Sequence, residues 1–169
     1  NVDFLIKCFV KYIRKRNFNL HLVIVGSGNN EYVNILKELV DELMANDAIT
    51  FTGFNSEPSR VISAFDLMIA PSNHEPFGRT LVEAMIQKTP VLAAYGGGHS
   101  EIINAGVTGK LYHHNDVDDF INQCDNYLNN SSTKHRIINK AYDTASLKYS
   151  SYGHSRNIVK IYKQLSFIA

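Results

Sequence analysis

Two carboxylates, Glu75 and Glu83, stand eight positions apart around a run suited to holding an anion, Pro76-Phe77-Gly78-Arg79-Thr80. Pro76 cannot continue a strand, and Gly78 places bare backbone at the point where a helix begins. The amides of Gly78, Arg79 and Thr80 are then helix-start donors with no intrahelical acceptor, and the helix dipole there favours negative charge. A diphosphate fits such a place, with the Arg79 and Thr80 side chains as further donors. Glu83 lies just over one turn into the helix, and Glu75 sits in the loop before it. Carboxylates so placed accept hydrogen bonds from hydroxyls on either side of the anion. That arrangement suits a nucleotide sugar, with ribose to one side and a hexose to the other.

Two other junctions carry glycines. Gly26-Ser27-Gly28 follows an apolar run and lets the backbone approach a ligand, although G-x-G without a third glycine fits a tight turn equally well. Gly96-Gly97-Gly98 precedes a short helix containing Glu101 and Ile102. Its amides could meet a phosphate or a sugar hydroxyl as a mobile turn, or the glycines could serve turn geometry alone; both readings stay open.

The elements that must position these residues alternate in type. Short apolar runs at 20–25, 48–52, 67–70 and 90–94, with a weaker one at 109–112, have the length and β-branched content of buried strands. Helical periodicity covers Phe4 to Tyr12 and Tyr32 to Leu43. Further helices are expected at 58–65, 79–87, 100–104, 117–129, 134–148 and 153–166, the ones after 134 packing on the sheet edge. This alternation predicts right-handed βαβ units in one α/β domain, a three-layer sandwich with a mainly parallel sheet. In such sheets ligands bind beyond the carboxyl ends of the strands, where the residues above lie.

Composition excludes several classes. With 169 residues, 44% of them hydrophobic and 20% charged, the chain builds a single core, and a net charge of +1 gives no field for nucleic acid. The basic cluster Arg14-Lys15-Arg16 ends a helix, where cations complement the dipole. Cys8 and Cys124 lie in helical apolar patterns and read as buried free thiols in a reducing compartment. Without a run of membrane-span length or a signal-like start, a soluble cytoplasmic location is expected. Asp116-Val117-Asp118 matches a metal-binding D-x-D but sits where Asp caps a helix. The histidines, including His113-His114, lack ligand spacing, so no metal site is assigned.

The motifs together carry a resemblance. Glu75 and Glu83, with seven residues between them in E-P-F-G-R-T-L-V-E-A-M, resemble the EX7E signature of retaining glycosyltransferase family 4, the glycosyl transferases group 1. Leu22-Val23-Ile24-Val25-Gly26-Ser27-Gly28, Ile49-Thr50-Phe51-Thr52-Gly53 and Asp66-Leu67-Met68-Ile69-Ala70-Pro71-Ser72 follow the family's order. So do Thr89-Pro90-Val91-Leu92-Ala93, Gly97-Gly98, Glu101-Ile102-Ile103 and Gly106-Val107-Thr108-Gly109. The likeness runs to about position 120.

The resemblance implies a GT-B architecture of two Rossmann-like lobes, of which residues 1–169 would form the C-terminal, donor-binding one. It implies transfer of a hexose from a nucleotide diphosphate sugar with retention, and no cofactor beyond that donor. Glu75 should contact the transferred sugar near its reacting carbon, and Glu83 the ribose hydroxyls. Phe77, Gly78, Arg79 and Thr80 should hold the sugar and diphosphate, with Gly26, Gly28, Gly97 and Gly98 also at the donor. The turn at Gly53, Phe54 and Asn55 should lie near the base. Asn1-Val2-Asp3-Phe4-Leu5-Ile6 resembles the text that follows the family's diphosphate-binding Arg and Lys. The first strand, both cations and the N-terminal acceptor lobe are therefore expected to be absent, leaving this piece inactive alone. A lipid-linked or polysaccharide acceptor, and membrane association through the absent lobe, would suit the family. A nucleotide-sugar-binding module without catalysis, or another GT-B chemistry such as epimerisation, are the alternatives.

Overall fold

The structure is a computed structural model and describes residues 1–16 and 19–166. A first helix, α1 (Val2–Arg16), leads to β1 (Leu22–Val25), α2 (Asn30–Glu42) and β2 (Ile49–Gly53). There follow α3 (Pro58–Ile62), β3 (Met68–Ala70), α4 (Arg79–Ile86), β4 (Val91–Ala94), α5 (Gly97–Ile102) and β5 (Lys110–Tyr112). Three helices end the described chain: α6 (Val117–Leu128), α7 (Ser131–Lys148) and α8 (Ser151–Ser166). Each expected element is present. Shifts of three residues occur at α3, which ends at Ile62 rather than 65, at α5, which starts on Gly97 rather than 100, and at α7, which starts on Ser131 rather than 134.

All named strand pairs are parallel, β1 with β2, and β3 with β4 with β5. The expected single sheet is divided, however, into a pair ordered β1-β2 and a trio ordered β3-β4-β5. Among the described residues no ladder joins β1 to β3. β1 is wholly apolar, yet all of its residues are only half-buried, in contrast to the fully buried β4.

The trio shows why the arrangement has layers. Along β4, Val91 and Ala93 pack with Leu81, Met85, Ile102 and Ala141 on one face. Leu92 and Ala94 pack with Leu5, Phe120, Ile121 and Tyr127 on the other. Period-two alternation thus buries both faces under helices, as a parallel strand requires. A third cluster joins α1, α2 and the β1-β2 pair through Ile6, Phe9, Leu36, Val40 and Ile49. Because α1 contributes to the second and third clusters, it holds the two sheets in one body.

Local expectations at the end of α1, at the two cysteines and at the start of α6 are met. Arg14, Lys15 and Arg16 end α1, and Arg16 pairs with Asp125, which also accepts from the Tyr12 hydroxyl at 3.0 Å. Cys8 and Cys124 are buried and free, and burial pushes both thiols up to about 12, so neither is a nucleophile near neutrality. Asp116 caps α6 by accepting from the Asp119 amide at 2.9 Å. Among the described residues no cluster of metal-ligating side chains occurs, and no helix is long and apolar enough to cross a membrane. The last helices depart from the expected sheet-edge packing. Ala141 and Ala145 of α7 join the α4 cluster, because their small side chains let the helix lie close. α8 leaves Tyr152, Val159, Ile161, Tyr162 and Leu165 exposed.

One buried-side interaction gives a pH dependence. Burial opposes charge on Asp119, but hydrogen bonds from the His113 amide, Gln123 and the His113 ring outweigh it and hold the carboxyl below its ordinary 3.8. A depressed carboxylate contributes stability above its unfolded value and loses it as pH falls through the folded one. Asp119→Asn should therefore lower stability at pH 7 by about 1 kcal/mol in urea unfolding, with the gap to wild type closing below pH 3.8.

Candidate functional site

Strands run parallel within each sheet, so the loops after β1 and β2 leave one end of the pair, and those after β3 and β4 leave one end of the trio. The site residues named from sequence fall in these loops and at the start of α4. They gather into two groups, one on each sheet.

The first group closes the β1-β2 pair. The Gly26 amide donates to the Gly53 carbonyl at 2.9 Å, which ties the two strand ends together and occupies that amide. Gly26 has φ 129° and Gly53 φ 69°, both in regions that favour glycine, while a methyl at either would meet only open space. Gly28 has no such backbone requirement, and its added methyl would make ordinary contact with Val33 at 3.6 Å. Phe54 follows with 78% of its surface exposed, a large bare ring at the loop mouth. The Asn55 side chain accepts from the Glu57 amide at 2.7 Å, an Asx turn that leads into α3.

The second group is built from the β3 and β4 loops. Gly78 is the residue before α4, with φ 91° and ψ 50° and no side-chain cap. The first-turn amides of α4 therefore have no capping side chain, which is what an anion site at a helix start needs. Arg79 and Thr80 are exposed beside them, and Phe77 is 45% exposed with its ring edge-on to Tyr149 at 5.7 Å. Glu75 is half-buried in the loop. Glu83 faces Arg79 one turn away at 3.4 Å, with 31% of its side chain exposed and 84% of Arg79's. So open a pair contributes at most about 1 kcal/mol, and the Arg79 guanidinium is free to turn toward an anion.

Gly97 and Gly98 join the same group in a way the sequence did not reveal. The Gly98 amide donates to the Glu75 carbonyl at 2.8 Å, so it braces the loop instead of facing outward. Three further residues escaped sequence reasoning. Asn73 packs its carbonyl against Gly96. Ser100 accepts the Gly96 amide on its hydroxyl at 3.0 Å. His99, 1% exposed, has Nδ1 3.0 Å from the Ala94 carbonyl, so Nδ1 carries the proton. The spacing of Ser100 four residues after Gly96 is a signal for such a turn; nothing in the sequence marks His99. A cavity of about 510 Å³ lies on the other side of this segment, lined by Tyr95, Ser100, Glu101, Asn104 and Lys148 among others. None of residues 73–80 line it, and the shallow loop mouth is the better match to the motif chemistry.

Parallel strands, an uncapped helix start and flanking carboxylates define an α/β domain of the kind that holds anionic ligands at its strand ends. Residues 1–144 match the glycosyl transferases group 1 family, and the chain belongs to it. It is 29% identical over 164 residues to an uncharacterized glycosyltransferase of Methanocaldococcus jannaschii, covering 96% of this chain and 41% of that protein. Identity to a D-inositol 3-phosphate glycosyltransferase of Stackebrandtia nassauensis is 34% over 131 residues, 75% of this chain and 30% of that one. The crystal structure of Anabaena HepE in complex with UDP and glucose superposes with a TM-score of 0.84 at 25% identity, covering 95% of this chain and 44% of that one. The C-terminal domain of a group 1 family protein from Francisella tularensis shares the fold, with a TM-score of 0.76 at 22% identity, covering 89% of this chain and 80% of that domain. The fold is the Rossmann-like lobe of GT-B glycosyltransferases. The chain spans 41% of the Methanocaldococcus relative and 44% of the Anabaena chain, about two-fifths of each.

The glycine geometry gives a direct contrast. Gly26→Ala should destabilise the domain by about 1–3 kcal/mol through backbone strain, while Gly28→Ala should change stability by less than about 0.5 kcal/mol. Urea unfolding of the two variants checks this.

Proposed function

We propose that this chain is the donor-binding lobe of a retaining GT-B glycosyltransferase of family 4, which transfers a hexose from a nucleotide diphosphate sugar. The observation that carries the reading is the uncapped start of α4 with Glu75 ahead of it and Glu83 on its second turn. Amides of Gly78, Arg79 and Thr80 would hold the diphosphate, and Glu83 the ribose. Phe54 and Asn55 would lie by the base, and Glu75 would orient the transferred sugar. UDP is the nucleotide to try first, since the Anabaena neighbour is a complex with UDP and glucose.

In the transfer, the bond from the anomeric carbon to the diphosphate breaks, positive charge grows on the sugar, and negative charge grows on the departing phosphate. Helix-start amides aimed at that phosphate stabilise the transition state more than the ground state, which is the condition for catalysis. The leaving phosphate takes the acceptor's proton, so no protein base is assigned. Glu75 orients hydroxyls and favours the developing positive charge.

The divided sheet supports a second element of the reading. The order β2-β1, then β3-β4-β5, is the doubly wound order with its central strand removed. A parallel strand from the full-length protein would fit between β1 and β3, cover the half-buried β1, and bring the loop that leads into α1 to the donor site. An acceptor lobe facing the loop mouth would supply the rest of the enzyme. A lipid-linked or polysaccharide acceptor, and a polysaccharide-building role, accord with that picture.

Glu75→Ala in the full-length protein should lower transfer by about 100-fold or more while UDP binding stays within about threefold. A nucleotide-binding module without catalysis would show no transfer in the wild type. Transfer by Glu75→Ala near the wild-type rate would remove Glu75 from its role.

A further inference from the structure

Three consecutive glycines meet three successive parts of the Glu75 loop. A methyl on Gly96 would lie 2.9 Å from the Asn73 carbonyl oxygen, one on Gly97 2.7 Å from that of Glu75, and one on Gly98 2.5 Å from that of Phe77. Every obstructing atom named is backbone, which cannot swing aside as a flexible side chain would. The next residue continues the series: the His99 ring lies under Gly78, 3.2 Å from where a methyl on that glycine would be. Backbone thus rests on backbone along the stretch that begins before Glu75 and ends at the start of α4.

The segment beneath is itself held. Ser100 accepts the Gly96 amide at 3.0 Å, His99 Nδ1 donates to the Ala94 carbonyl at 3.0 Å, and the Gly98 amide donates up to the Glu75 carbonyl at 2.8 Å. Gly98 and His99 are buried, so water does not compete for their two bonds, while the Ser100 bond is partly buried.

We propose that Gly96 to Ser100 form a template that sets where the Glu75 carboxylate and the α4 amides stand. These are positioning residues, acting through the loop and not by touching the donor. The consequence for catalysis rests on the donor-site reading above; the template itself does not. Gly98 gives the cleanest probe. It lies within α5 and is not among the positive-φ residues, so alanine suits its backbone torsions, and the obstruction comes from the Phe77 backbone, with O at 2.5 Å and C and Cα at 2.7 Å. Ser100→Ala loosens the turn with no added bulk, and it remains informative if Gly98→Ala fails to fold.

The test has two arms. In the full-length protein, release of UDP from UDP-glucose should fall in kcat by about 10- to 100-fold for Gly98→Ala, with a smaller loss of UDP affinity, about 3- to 10-fold, because the α4 amides that hold the diphosphate move with the loop. Ser100→Ala should show the same split to a smaller degree. In this chain, amide NMR of both variants should show shifts concentrated at residues 73–80, with those of Gly26 and Gly53 unmoved. A wild-type kcat in Gly98→Ala, or amides of 73–80 unmoved in both variants, would overturn the template. If the wild type binds no UDP and releases none from UDP-glucose, the donor reading fails instead, and the amide shifts still decide the template.

Discussion

A backbone hydrogen bond of 2.8 Å, from the Gly98 amide to the Glu75 carbonyl, joins two loops that leave different strands. It forms only where the second loop has no side chains, because any Cβ on Gly97 or Gly98 would overlap the first loop's carbonyls. The remainder of the site follows from that contact. With the loop held at Glu75 and Phe77, Gly78 enters its left-handed conformation and α4 starts where it does, its first turn without a capping side chain. The sheet beneath is rigid for an equally simple reason: alternate residues of β4 are buried on opposite faces.

The charges around this edge are lightly committed. Arg79 and Glu83 form a solvent-exposed pair, which breaks at little cost when an anion and a hydroxyl offer better partners. Phe54 presents an aromatic face to solvent with no apolar cover. Groups of this sort contribute little to holding the fold and are poised to bind. Three buried polar side chains are committed: Thr89 donates to the Ile62 carbonyl, Tyr127 to that of Val91, and His99 to that of Ala94. The buried Tyr112 hydroxyl is the exception among the described residues, with no hydrogen-bond partner. Apart from Tyr112, hydrogen-bonded polar groups inside and open ones at the loop mouth separate framework from site.

Much of the fold could be read in the sequence because its strands are short, apolar and bounded by glycine or proline, while the helices carry clear periodicity. Strand positions such as Val91–Ala94 were evident, and so was the helix start at Gly78. The apolar text of β1 does not show the split between β1 and β3, since pairing is not written in composition, although the expected absence of a first strand accords with it. Nor was the part played by Gly96 to Ser100 readable. Those glycines signalled close approach of something, and whether a ligand or another stretch of backbone approaches depends on contacts distant in sequence. Tyr32 and Ile35 fit the apolar periodicity of α2 yet are exposed, because Leu36 and Val40 define the face that meets α1.

The central claim is that the loop mouth from Gly53 to Glu83 binds a nucleoside diphosphate. An amide NMR titration of this chain with UDP tests it most directly, repeated with the Glu83→Ala variant. The account predicts saturable shifts at residues 53–55 and 75–83, weakened by the substitution. Shifts confined to other regions, or shifts at the loop mouth indifferent to loss of Glu83, would contradict it.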